Sequence, residues 1–69
     1  MKCKINGKEE ELQQESISIT DLLKVKAVKM PDMVSVELNG DILDRENFDT
    51  SIVKEGDSVE FLYFMGGGI

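Results

Sequence analysis

The residues of this chain with the most evident chemical use are three consecutive glycines, Gly66-Gly67-Gly68, followed by Ile69. They come directly after the apolar run Phe61-Leu62-Tyr63-Phe64-Met65. Glycines offer no apolar surface to pack and lose much conformational entropy when ordered. Fully extended, three residues reach roughly 10 Å, and without Cβ atoms they can pass through a channel too narrow for any side chain. That suits a terminal carboxylate that must enter the active site of another protein. The plain alternative for a lone glycine triplet is a frayed end, so the choice depends on what the triplet is attached to.

The rest of the inventory is sparse. Cys3 is the single cysteine and there is no histidine, which leaves no intrachain disulfide, no Cys/His zinc site and no Cys/His nucleophile pair. Cys3 alternates with Lys2 and Lys4, on the same side as Met1 and Ile5, so it is expected in the core as a structural residue. An exposed turn arginine paired with Asp41 or Asp44 explains Arg45 as well as a functional role does. No nucleophile and base stand together convincingly, and an enzyme is the least favoured class.

Fourteen acidic and eight basic side chains give a net charge of −6. That field repels phosphate backbones and anionic headgroups, so neither nucleic acid nor a membrane surface is expected as a partner. No apolar run approaches the roughly 20 residues that span a bilayer, and no signal peptide is recognisable, so a soluble cytoplasmic protein is expected.

The elements that would position the tail follow from local patterning. Met1 to Ile5 alternates as a strand, Asn6-Gly7 suits a type I′ turn, and Lys8 to Gln13 returns antiparallel. Ser18 with Asp21 resembles a capping box, and Ile17 with Leu22 a hydrophobic staple, which starts a helix at Ile19. Ile19, Leu22, Leu23, Ala27 and Met30 share one face of a helical wheel. Lys26 falls in the middle of that face, so the regular helix is predicted to end near Val25. Pro31-Asp32 turns the chain into Val34 to Leu38, and Asn39-Gly40 reverses it into Ile42-Leu43. Asp44 to Phe48 reads as a single turn, with Phe48 and Ile52-Val53 directed to the core. Glu55-Gly56-Asp57 makes the last turn before the strand Ser58 to Met65.

The order ββαββ gives an α+β chain of the β-grasp, ubiquitin-like architecture, a mixed sheet covered by one helix. The first and last strands are predicted to be adjacent and parallel, with the helix in the crossover between them. Residues 1–65 form the domain and residues 66–69 a flexible glycine tail. If Val59 and Phe61 face the core, Leu62 and Phe64 face the open side of the sheet beside the tail, where they are candidate docking residues.

Leu38-Asn39-Gly40, Arg45, Gly56-Asp57, Val59-Glu60-Phe61 and Gly66-Gly67-Gly68, in this order over essentially the full length, resemble the ThiS family of ubiquitin-like sulfur carriers. The MoaD carriers of molybdopterin synthesis share the fold and the tail but tend to be longer. The resemblance implies that a ThiF-like adenylating enzyme uses ATP to activate the terminal glycine carboxylate. A sulfur donor such as a cysteine desulfurase then converts it to a thiocarboxylate, whose sulfur is delivered to thiazole synthase for thiamine biosynthesis. On this reading Gly68 is the acceptor, Gly67 and Gly66 are its flexible approach, Leu62, Phe64 and Gly66 meet the partner, and the carrier holds no permanent cofactor.

Family members end in Gly-Gly, whereas Ile69 follows Gly68 here. Either a peptidase removes Ile69, or the chain is not a competent carrier. A MoaD-like carrier for another sulfur pathway, a protein-conjugating tag and a noncovalent β-grasp interaction module are the alternatives.

Overall fold

The computed structural model of the protein describes residues 1–63. Strand β1 (Lys2–Ile5) and strand β2 (Lys8–Glu11) form the first hairpin. Its turn has φ of 54° at Asn6 and 82° at Gly7, the double positive-φ geometry in which Asn-Gly carries little strain. The second Asn-Gly pair does the same, with φ of 53° at Asn39 and 89° at Gly40. It joins β4 (Val34–Leu38) to β5 (Asp41–Ile42). The last strand, β7 (Ser58–Tyr63), lies parallel to β1 and antiparallel to β4. The sheet order is therefore β2-β1-β7-β4-β5, and the first and last strands are adjacent and parallel as predicted.

A second, two-stranded sheet was not legible as such in the sequence. It pairs β3 (Ser16–Ser18) with β6 (Ile52–Lys54) in antiparallel register. Each strand has only three residues, too few for a periodic signal. The pairing corrects one expectation: Val53 is fully buried, but its neighbour Ile52 points outward and is 40% exposed, because consecutive strand residues face opposite sides.

Helix α1 (Ile19–Val25) starts where the capping residues place it, with the Ser18 hydroxyl accepting from the Asp21 N–H at 3.1 Å. The Ile19 and Thr20 N–H groups donate to the carbonyls of Ser51 and Phe48. This satisfies donors that a helix start leaves without intrahelical partners and ties α1 to the approach of β6. At the other end the Ala27 N–H donates to Lys24 and the Val28 N–H to Leu23, a Schellman ending with Ala27 at φ 54°. That reversal corrects the helical wheel. Ala27 and Met30 lie beyond the helix and are exposed, Met30 to 61%. Val28 packs on the core in their place. Lys26 sits at the cap and forms an ion pair with Glu10 of β2.

Ile19, Leu22 and Leu23 of α1 close over Cys3, Ile5, Val34, Val36, Val59 and Phe61 from one face of the large sheet, with Leu12, Ile17, Phe48 and Val53 completing a single cluster. No helix is long and apolar enough to cross a membrane among the described residues.

Ala27 holds a left-handed backbone at a position where glycine is the usual choice. An L-residue there loses about 1–2 kcal/mol, partly offset by its lower entropy when unfolded. Ala27→Gly is therefore expected to raise the urea-unfolding free energy by about 0.5–1 kcal/mol, with an unchanged m value.

Candidate functional site

The strand that leads to the tail occupies the middle of the sheet. Val59 and Phe61 are buried, and Leu62 is 39% exposed on the opposite face, the placement that alternation predicts. Phe64, Gly66, Gly67, Gly68 and Ile69 lie outside the described residues.

Both flanks of β7 are clamped by the asparagines of the two hairpin turns. On the β1 side, the Asn6 N–H donates to the Val59 carbonyl at 2.9 Å, and the Phe61 N–H donates to Asn6 Oδ1 at 2.8 Å. On the β4 side, the Asn39 N–H donates to the Ser58 carbonyl at 2.7 Å, and the Ser58 N–H donates to Asn39 Oδ1 at 2.9 Å. Asn39 Nδ2 also donates to Asp57 Oδ1 at 3.1 Å, while Asp57 Oδ2 accepts from the Lys54 N–H at 2.8 Å. Asn39, Gly56 and Asp57 thus have a mechanical role: with Gly56 at φ 85°, they lock the turn that launches β7.

Arg45 is also structural, and not in the way expected. Instead of pairing with Asp41 or Asp44, its guanidinium donates to the carbonyls of Pro31 and Val34 at 2.7 and 2.8 Å. It also lies 5.4 Å from the Phe48 ring centroid. A planar fork with several donors can hold two separate chain segments while stacking on an aromatic face, which a turn aspartate could not make it do. Cys3 is buried, and burial, with smaller help from Glu10, raises its thiol pKa above the ordinary 9.0. A thiol held protonated is a poor nucleophile.

The register of the sheet reveals neighbours of Leu62 that alternation within one strand could not identify. Leu62 stands opposite Ser35, and Glu60 opposite Glu37, which in turn stands opposite Ile42. The open face of the sheet around β7 therefore carries Leu62, Ser35, Ile42 and two facing glutamates, with Ile42 70% exposed. Like charges directly opposite on neighbouring strands disfavour the sheet. Identifying these positions required the β4–β7 pairing. Among the described residues no group of three or more His, Cys, Asp or Glu converges as a metal site would need.

A family model, that of the ThiS family, matches residues 2–68. The chain belongs to the ThiS family. Among solved structures it is similar to the crystal structure of a thiamine biosynthesis protein (ThiS) from Geobacter metallireducens. The two are 51% identical with a TM-score of 0.91, over 99% of this chain and 100% of that one. It is also similar to the NMR solution structure of a thiamine biosynthesis protein from the same organism, at 50% identity and a TM-score of 0.83, over 100% of this chain and 90% of that one. A search of curated proteins gave no match. The β-grasp fold and the ThiS resemblance read from the sequence both hold, and of the motif positions Asn39, Gly56, Asp57, Val59 and Phe61 acquire a physical account as clamps, turn and core contacts of β7.

Replacing Asn39 tests that account. Asn39→Gly keeps the positive φ and loses both side-chain hydrogen bonds, so it should cost about 1–2 kcal/mol. Asn39→Ala adds the left-handed strain, roughly 1 kcal/mol more. Chemical denaturation of the three proteins should rank them in that order.

Proposed function

We propose that this ThiS-family protein is a sulfur carrier of thiazole formation in thiamine biosynthesis, a protein substrate that is consumed and regenerated and not itself a catalyst. The observation that carries the reading is the extent of the family match, which runs through the glycines and ends at residue 68. The thiamine biosynthesis titles of the two similar structures support the pathway. Residues 1–65 act as the handle and residues 66–69 as the tail, delivered as Gly66–Gly68 once Ile69 is removed, in the cytoplasm.

The chemistry follows from what a carboxylate lacks. Its carbonyl is a poor electrophile until one oxygen becomes a leaving group. A ThiF-like adenylating enzyme transfers AMP from ATP to the Gly68 carboxylate and releases pyrophosphate. The terminal sulfur of a persulfide, supplied by a donor such as a cysteine desulfurase, then attacks the acyl carbon and AMP departs. Cleavage of the S–S bond by a second thiol leaves the thiocarboxylate, which thiazole synthase accepts as its sulfur source. Gly67 and Gly66 let the acyl carbon enter a narrow site, because backbone alone is what must fit.

A chain ending at Gly68 is expected to form the acyl-adenylate and then the thiocarboxylate when given a cognate adenylating enzyme, ATP and the sulfur donor. The same chain carrying Ile69 should react only after a peptidase removes that residue, since a branched Cβ would stand where the attacked carbonyl must sit. Intact mass separates these outcomes through the exchange of one oxygen for sulfur and the loss of one isoleucine. Failure of the Gly68-ended chain with its cognate enzyme would sink the sulfur-carrier reading in favour of a noncovalent module.

Leu62, with Phe64 and Gly66, is proposed to meet the adenylating enzyme. Leu62→Asp should weaken that binding by about 2 kcal/mol or more, the loss typical of an interface hot spot. Leu62 is already partly exposed, so the circular dichroism spectrum should not change. Titration calorimetry gives the affinity, and an unchanged value would remove Leu62 from the interface.

A further inference from the structure

Strand β7 outlasts its partner on one side. Parallel pairing with β1 covers Ser58 and Val59, and the chain of β1 then leaves through the Asn6-Gly7 turn. The Asn6 side chain caps the next donor, the Phe61 N–H. Antiparallel pairing with β4 continues to Tyr63. Backbone groups in a strand alternate in direction, so the residues that address the β1 side can be read from their bonds. Asp57 and Val59 do so through carbonyls that accept from Lys4 and Asn6, and Phe61 through its N–H. The same alternation directs the Phe61 carbonyl and the Tyr63 N–H to that side, where no described strand lies. Leu62, between them, addresses β4.

Beside this half-edge is a cleft of about 290 Å³, with Ile5, Val28 and Phe61 on its walls and Lys8 and Lys26 at its polar part. Lys26 is paired with Glu10, which leaves Lys8 as excess positive charge on a chain of net charge −6.

We propose that an extended segment of the adenylating enzyme adds to this half-edge as a strand in line with β1, bonded to the Phe61 carbonyl and the Tyr63 N–H, with an acidic side chain directed to Lys8. The occupant follows from continuity: only Phe64 and Met65 separate β7 from the glycines in sequence, so a protein that takes up the tail works next to this edge. Added strands gain affinity from main-chain bonds and selectivity from alternate side chains. This rests on the sulfur-carrier reading for the identity of the enzyme.

The test uses the whole chain ending at Gly68 with its cognate adenylating enzyme. Tyr63→Pro removes the N–H on the β1 side without touching a bond to β4, and Tyr63→Ala controls for the side chain. Tyr63→Pro should weaken binding about 10-fold beyond Tyr63→Ala, the effect of one lost backbone hydrogen bond. Lys8→Glu should also weaken binding. Amide exchange followed by NMR should show the Tyr63 N–H unprotected in the free chain and protected in the complex. Equal affinities for the Pro and Ala variants overturn the proposal, as does a Tyr63 amide that stays unprotected in a complex where Gly68 is adenylated. In that case the sulfur-carrier reading stands alone. If the unmodified chain is neither bound nor adenylated, both fail. Protection that grows with protein concentration, without enzyme and with a doubled mass, assigns the edge to a second copy and overturns the proposal.

Discussion

The parallel contact between β1 and β7 is the constraint on which the rest of the structure depends. It joins residues more than fifty positions apart, Lys4 to Ser58 and Ile5 to Val59, and it can form only if the intervening chain crosses over the sheet. The crossover carries α1, whose buried side chains then meet Cys3, Ile5, Val59 and Phe61. The first half of β7 is thereby held on both sides, by β1 and by β4, and its second half by β4, and the asparagine clamps fix where along each neighbour it sits.

The two faces of that strand differ in what they contribute to stability. The core face is conventional, with Val59 and Phe61 buried. The open face keeps Glu37 directly opposite Glu60 and leaves Leu62 and Ile42 partly in water. Neither arrangement helps the free domain, since facing carboxylates repel and exposed aliphatic surface gains nothing from solvent. The sheet has Lys2 and Lys4 on this same face, opposite Glu11 and Glu9 of β2, so favourable pairing is available in the fold but is confined to its β1–β2 side.

The sequence made legible whatever local patterning governs. Two Asn-Gly turns, the Ser18 cap, the helix end near Val25 and the alternation that buries Cys3 and Phe61 each have a signal within a few residues. What escaped has its cause at a distance. The short β3–β6 pair exists because Ile17 and Val53 are brought together by the crossover. Ala27 left the core face because a Schellman turn overrode the helical wheel. Arg45 binds carbonyls because the 3D path places Pro31 and Val34 beside it. The open-face companions of Leu62 were hidden for the same reason, since register between β4 and β7 is not written in either strand alone.

The order of the sheet also has a kinetic consequence. With β7 absent, β1 and β4 are no longer neighbours of anything on their inner sides, and the domain would present two raw strand borders at once. Such borders invite pairing with other chains. Because the closing contact spans most of the sequence, it is slow to find compared with the two local hairpins. A chain in which both hairpins formed before β7 arrived would hold two open borders, and association between copies at that stage would compete directly with the arrival of the segment that leads to the glycines.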